Sequence, residues 1–310
     1  MTGYFVGVDI GGSKIAVLVR EAGTDREVYS EKLATPARGG VGATLRLLDA
    51  QMEKLPGGRS NVVALGVAVP GSVDPDGRVV FAGNLERWVD VPLRAQLEER
   101  YRIPVFVEGD AKCGALGEKW LGAAKDLNDF VFVALGTGIG AGVFLNGAIH
   151  RGVHFAAGEV GEMTFPCGRR GKRTARVSDM VGKRAIKKMV RRATGQKLSA
   201  ADALERAGRR RSLARATRPV VAYLSATVTA ISALLDPEAI LFGGGTSEAG
   251  EALLKRVREG IPHDVVVRAR LMLAGLGSKA QLYGALWGAQ EAAAASSRES
   301  GSVQPLHAAP

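Results

Sequence analysis

Two glycine-rich turns flank a single acid in this chain, and together they have the makings of a phosphate site. The first is Asp9-Ile10-Gly11-Gly12-Ser13-Lys14, directly after the apolar run Tyr4-Phe5-Val6-Gly7-Val8. The second is Gly136-Thr137-Gly138, after Phe130-Val131-Phe132-Val133-Ala134, and Asp110 lies between them in Val107-Glu108-Gly109-Asp110. A strand that ends in small residues lets backbone N–H groups approach an oxyanion with no Cβ in the way. A further turn of this kind, Gly243-Gly244-Gly245, follows the apolar run 239–242. Such turns around one carboxylate suggest phosphoryl transfer, where positioning outweighs base strength and Asp110 would accept the proton of an attacking alcohol. Asp9 would hold Mg²⁺ through water, because that ion dehydrates reluctantly and takes only one or two protein carboxylates. Each acid also has a plainer reading, Asp9 as a hairpin turn residue and Asp110 as a helix N-cap.

The elements that must carry these turns follow from the pattern of apolar residues. Residues 4–20 read as two strands joined at Gly11-Gly12, with a third strand over 27–33 and a helix over 42–55. The run 61–69 is apolar throughout and stops at Pro70-Gly71, as in a strand covered on both faces. A helix over 91–101, a strand over 104–107 and a helix over 111–121 bring the chain to and past Asp110. Strand, glycine turn, strand then recurs over 130–145, which looks like an internal duplication of a phosphate-binding unit. Beyond it the pattern predicts helices over 180–193 and 219–235, a strand over 239–242, a helix over 248–260, a strand over 264–271 and a last helix over 280–293. Residues 294–310 lack periodicity and are expected to be disordered.

Bulk properties narrow the classes. With 310 residues, 46% hydrophobic, the chain can bury a sizeable core and is long enough for about two domains. No basic leader or run of about 18 apolar residues is apparent, so a cytoplasmic protein without a membrane partner is expected. Two cysteines far apart, Cys113 and Cys167, build neither a disulfide framework nor a four-cysteine metal site. The formal charge of +11 is unevenly placed: residues 169–218 hold 18 Lys or Arg against 3 acids, a net +15, which leaves −4 for the rest. That block would attract anions, including polyphosphate as an alternative phosphoryl donor, or simply form a solvated helix face. Aromatics are too few there to stack on bases.

Seven motifs in order carry a resemblance. Asp9-Ile-Gly-Gly-Ser-Lys14, Gly66-Val-Ala-Val-Pro-Gly71, Asn84-Leu-Glu-Arg-Trp88, Gly109-Asp-Ala-Lys-Cys-Gly-Ala-Leu-Gly-Glu118, Leu135-Gly-Thr-Gly-Ile-Gly140, Gly158-Glu-Val-Gly161 and Gly243-Gly-Gly245 together resemble the ROK family (repressor, open reading frame, kinase). The resemblance implies an α/β protein with the actin-like (ribonuclease H-like) ATPase fold, two lobes with a cleft between them, and ATP-dependent phosphorylation of a sugar hydroxyl with Mg²⁺. The lobes would be 1–115 and 116–293, with the last helix packing back on the first. By position it implies Asp110 as the catalytic base. Asn84, Gly71, Gly109, Glu159 and Glu162 would line the acceptor. Asp9, Gly11, Gly12, Ser13, Lys14, Gly136, Thr137, Gly138, Gly243, Gly244 and Gly245 would hold ATP and its phosphates. A homodimer is implied as well. Repressors of the family carry a DNA-binding segment ahead of the first strand, whereas this chain starts at that strand, so nucleic acid is not expected as a partner of that kind.

The departures from the family pattern fall around the acceptor. Gly109 and Lys112 each replace an asparagine, and Glu162 and Thr174 stand where a histidine and an acid are usual. The three-cysteine zinc loop retains only Cys167, with Phe165 and Lys172 at the other positions, so no zinc is expected. Lost hydrogen-bonding groups in a polar pocket cost about 1–3 kcal/mol each. These changes raise two alternatives to a plain hexose kinase: a kinase of a cyclitol or aminosugar in secondary metabolism, and a non-catalytic binder of sugar or nucleotide.

Overall fold

A small-residue turn can serve chemistry only if a sheet fixes its position, and both sets of turns here close strands of a mixed sheet. The computed structural model describes residues 3–36, 39–55, 57–82, 85, 87–167 and 173–301. The chain forms two compact units, one comprising the chain up to Cys113 and from Leu282 onward, the other Gly114–Gln281.

In the first unit β1 (Tyr4–Ile10), β2 (Lys14–Glu21) and β3 (Glu27–Ala34) form an antiparallel meander, followed by α1 (Gly40–Met52) and β4 (Val62–Val69). A small sheet of β5 (Ser72–Val73), β6 (Val79–Phe81) and β7 (Val89–Val91) precedes α2 (Leu93–Tyr101), β8 (Val105–Gly109) and α3 (Asp110–Leu121). The main sheet has the order β3-β2-β1-β4-β8, with β1, β4 and β8 parallel. Val67, Val69, Val6 and Val8 are fully or almost fully buried, which explains the unbroken apolar runs of these strands.

In the second unit the chain forms β9 (Phe130–Leu135), β10 (Ile139–Leu145), β11 (Ala148–Ile149), β12 (Thr164–Cys167) and β13 (Arg173–Arg176). Helices α4 (Val177–Val181), α5 (Lys183–Thr194), α6 (Ala200–Arg206) and α7 (Arg211–Leu235) follow, then β14 (Ala239–Gly243), α8 (Glu251–Gly260) and β15 (Arg270–Leu273). Its sheet has the order β11-β10-β9-β14-β15, again with the first hairpin antiparallel and β9, β14 and β15 parallel. The two sheets therefore share one topology, the structural counterpart of the repeated strand, turn, strand pattern. The last helix, α9 (Ala280–Gly301), lies against the first sheet. Close approach is what Gly66 permits: a Cβ there would stand 1.7 Å from the Ala285 carbonyl oxygen.

Several boundaries differ from the sequence expectation. The single helix over 180–193 is two, α4 and α5, broken at Gly182, whose backbone is extended (ψ 145°). A Cβ on Gly182 would stand 2.4 Å from the Thr137 carbonyl, so the break seats the helix pair under the second turn. Helix α7 begins eight residues before Pro219 and carries that proline inside it. Helix α6 lacked a strong periodic signal, although Ser199 caps it by accepting from the Asp202 N–H at 3.0 Å. Of the strand expected over 264–271 only Arg270 and Leu271 lie in the sheet, and β15 runs on to Leu273. Residues 294–301, expected to be disordered, continue α9 as helix; residues 302–310 lie outside the described residues. Among the described residues one helix, α7, is long and apolar enough to cross a membrane by length and composition. Its residues Leu213, Val220, Leu224, Val228 and Ile231 are buried in the core of the second unit.

One buried acid ties that unit together. Glu118, fully buried, accepts from the N–H groups of Ala123 and Gly275 with one oxygen and of Leu276 with the other, each at 2.8 Å. A glutamine would turn an NH₂ toward one of these donors and leave it unpaired. Glu118→Gln is therefore expected to lower unfolding stability by about 2–4 kcal/mol, read from urea denaturation; a change below about 0.5 kcal/mol would show that the carboxylate is not the tie.

Candidate phosphoryl-transfer site

Parallel strands that begin together also end together, and the first unit gathers its candidates at the carboxyl ends of β1, β4 and β8. Asp9 is in register with Ala68, and Ala68 with Glu108, so these three form one row across the sheet. One residue on, Val69 pairs with Gly109, and Asp110 opens α3, its Oδ1 accepting from the Ala111 N–H at 2.7 Å. The carboxyl edge of parallel strands is the usual place for a ligand in such sheets. Gly71, in the left-handed region (φ 96°), leaves β4, and Gly109 lies against it: a Cβ on Gly109 would stand 2.6 Å from the Gly71 carbonyl oxygen. Glycine at both positions is thus a condition of the close approach of the strand ends.

The first turn is held from behind and open in front. Gly11 N–H donates to the Lys14 carbonyl at 2.8 Å, and the Thr35 hydroxyl donates to the Gly11 carbonyl at 2.6 Å. Gly12, Ser13 and Lys14 are exposed. Electrostatics mark Asp9. Loss of hydration, and secondarily the charge of Asp110, pushes its carboxyl up to about 7 from 3.8. A carboxyl held so reluctant to ionise, beside open amides, is the type of group a hydrated divalent cation would restore to its charged form, so the residues fit Mg²⁺. Burial and the neighbouring charges of Glu108, Asp9 and Asp110 push the Cys113 thiol well above its usual value, so it is no nucleophile.

Two further charges stand at this edge: Glu108, which the sequence did not single out, and Lys112, which it marked only as a replacement for asparagine. Glu108 is 1% exposed and accepts from the Gly109 N–H at 2.8 Å; Lys112 is 2% exposed, and its Nζ would stand 3.7 Å from a Cβ on Gly109. Both residue types usually lie outside, and no local pattern announces that these two are inside. Asn84 lies outside the described residues. Among the described residues on either side, the Ala82 N–H donates to the Trp88 carbonyl at 3.1 Å, and the Trp88 ring is buried.

The second unit brings its two glycine turns together in the same way. Ala134 of β9 pairs with Gly243 of β14, so Gly136-Thr137-Gly138 and Gly243-Gly244-Gly245 leave adjacent parallel strands side by side. Thr246 N–H donates to the Leu135 carbonyl at 3.1 Å, and Gly244 has φ 82° with a would-be Cβ 2.6 Å from the same carbonyl. Around Gly136 and Gly245 an added Cβ would meet nothing within 4 Å, which is the open face a phosphate chain needs. Ser178 of α4, which the sequence did not single out, packs under both this turn and the next segment: its Oγ would be 3.1 Å from a Cβ on Gly138 and 2.3 Å from one on Gly161.

Glu159 and Glu162 flank Gly161 and are exposed. The Glu162 carboxylate lies 3.4 Å from the Arg176 guanidinium, which also contacts Asp179 at 3.2 Å. Where the zinc loop of the resemblance would stand, Phe165 packs edge-on against Tyr223 with ring centroids 5.9 Å apart, and the Tyr223 hydroxyl donates to the Phe165 carbonyl at 3.3 Å. Cys167 is half-buried and unpaired in any disulfide, Thr174 is exposed on β13, and Lys172 lies outside the described residues. Among the described residues no three His, Cys, Asp or Glu side chains stand together as a metal site.

Comparison with known proteins agrees with this geometry. The chain is 29% identical to a glucokinase of Halalkalibacterium halodurans, over 92% of this chain and 94% of that one. It is 34% identical to the xylose repressor of Bacillus subtilis over 54% of this chain, which spans 46% of the repressor. The structure superposes with a TM-score of 0.76 on a ROK family glucokinase from Streptomyces griseus in complex with glucose and AMPPNP, at 28% identity and covering 93% of this chain and 100% of that one. The ROK family profile matches residues 5–292, nearly the whole sequence, and the sheets and turns described above are those of an actin-like ATPase fold: the chain belongs to the ROK family.

Proposed function

We propose that this chain is an ATP-dependent sugar kinase that transfers the γ-phosphoryl group of ATP to a hydroxyl of a hexose or hexose-like acceptor. The observation that carries this reading is likeness over the full length to a glucokinase, joined to an acid at the carboxyl edge of one sheet and open glycine turns at the same edge of its topological twin. Asp110 is the base: its carboxylate takes the proton of the acceptor hydroxyl as that oxygen bonds to the γ-phosphorus and the bond to the bridging oxygen breaks, releasing ADP. The amides of Gly11, Gly12, Ser13 and Lys14 in one unit, and of Gly136, Thr137, Gly138 and Gly243 to Gly245 in the other, would hold phosphate oxygens. Asp9 would hold Mg²⁺ through water, and the bound ion supplies charge neutralisation on the phosphate chain. Asn84, Gly71, Gly109, Glu159 and Glu162 are proposed for the acceptor, and a cytoplasmic homodimer for the working state.

The test is a panel of hexoses, aminosugars and cyclitols offered with ATP or with polyphosphate, read by ADP release and by phosphosugar formation. Turnover of a hexose with ATP is the expected result. No turnover of any acceptor with either donor, from folded protein, overturns the kinase reading; a cyclitol or aminosugar preferred by a wide margin over every hexose overturns the acceptor class.

A further inference from the structure

The strongest charge on the molecule takes no part in the site just described. Helix α5 is pinned by Ile186 and Val190, both fully buried, so its opposite face is fixed outward. On that face Arg184, Lys187, Lys188 and Arg191, at i, i+3, i+4 and i+7, form one exposed stripe. Arg211, Arg215 and Arg218 make a second exposed stripe, at i, i+4 and i+7, on the first half of α7. None of these seven makes an ion pair among the described residues; of the three acids in the block, Asp179 contacts Arg176 and Asp202 accepts from the Ser199 hydroxyl at 2.7 Å. Like charges at i, i+4 work against a helix by a few tenths of a kcal/mol per pair. The stripes therefore lower the stability of their own helices, and no ion pair among the described residues offsets it.

The chemistry of the stripes selects among polyanions. Five of the seven cations are arginine, whose planar fork suits phosphate oxygens. Between residues 173 and 218 there is no aromatic side chain, so bases would find no platform and a single strand has nothing to stack on. A membrane surface would need apolar residues beside the cations, and those of α5 are sealed in the core. Regularly spaced outward phosphates with the bases kept inside are the feature of a duplex. We propose that the α5 and α7 stripes bind double-stranded nucleic acid through its phosphate backbone, without reading sequence, as a second activity of this protein independent of the kinase reading.

The experiment measures anisotropy of a short labelled DNA duplex with the full chain between about 50 and 200 mM salt. Binding is expected to weaken linearly in log–log form. The quadruple variant Arg184→Glu, Lys187→Glu, Lys188→Glu, Arg191→Glu is expected to bind at least about tenfold more weakly at the low-salt end, with a slope smaller by about 0.9 for each phosphate it no longer neutralises. A second variant with glutamine at these four positions gives the same direction of change if the reversed one does not fold, and circular dichroism checks both. Reversing Arg26, Lys32 and Arg59, exposed in the other unit, is expected to leave most of the binding in place. The proposal is overturned by absence of duplex binding at low salt, by an equal loss in that control, by a single strand bound more tightly than the duplex, or by binding confined to polyphosphate or anionic vesicles.

Discussion

Replacing Asp110 by asparagine is expected to lower kcat by about 10²–10⁴-fold, measured as coupled ADP release with the best acceptor of the panel, while KM for ATP changes little. Asparagine keeps an acceptor oxygen where Asp110 Oδ1 takes the Ala111 N–H, so the start of α3 is preserved. What it lacks is a lone pair basic enough to take the hydroxyl proton. The loss corresponds to about 3–5 kcal/mol in the transition state, and it should appear in kcat because the proton moves only there. Stability should move the other way: removing the Asp110 charge removes one of the two causes that hold Asp9 un-ionised. A kcat within about threefold of the parent (under 1 kcal/mol) would remove Asp110 from the chemistry.

The turns around this acid were legible in the sequence because their demand is local. Gly11-Gly12, Gly136-Thr137-Gly138 and Gly243-Gly244-Gly245 each follow a β-branched or aromatic run, and a glycine after such a run predicts where the sheet ends. The repetition of that pattern foretold the repetition of topology, because a hairpin followed by parallel strands leaves few arrangements. Elements whose limits depend on the rest of the fold were less legible. Pro219 disfavours a helix interior by its missing N–H, yet the packing of Leu213, Thr217 and Val220 carries α7 through it. Gly182 fits either a helix or a break by local preference, and contact with Thr137 decides for the break. Residues 294–301 show little amphipathic pattern, but Ala292 to Ala295 propagate a helix already nucleated on the first sheet. The burial of Glu108, Lys112 and Glu118 could not be read at all: Glu118 takes the amides of Gly275 and Leu276 from far along the chain, and Glu108 takes the amide of the strand end itself.

Asp9, half-buried at the end of β1, gives the opposite trade between stability and activity from that of most residues of the interior. Its carboxyl sits at about 7 in the folded chain against an ordinary 3.8, so the folded state holds a proton that the unfolded chain has released. Stability therefore falls as pH rises from about 4 to about 7, and above 7 the full penalty, of the order of a few kcal/mol, is present. Asparagine carries no charge to desolvate. Asp9→Asn is expected to be more thermostable than the parent at pH 8 in metal-free buffer, with the difference shrinking toward zero as pH falls to about 4, and to lose kinase turnover by about 10²-fold or more. Addition of MgATP should reverse the order at pH 8, because only the parent has a carboxylate whose charge the ion stabilises. Thermal denaturation across pH, with and without MgATP, reads all three outcomes. A variant less stable than the parent at pH 8 in metal-free buffer would mean that Asp9 is held by hydrogen bonds the asparagine cannot make, and would remove it as the strained acid of the site.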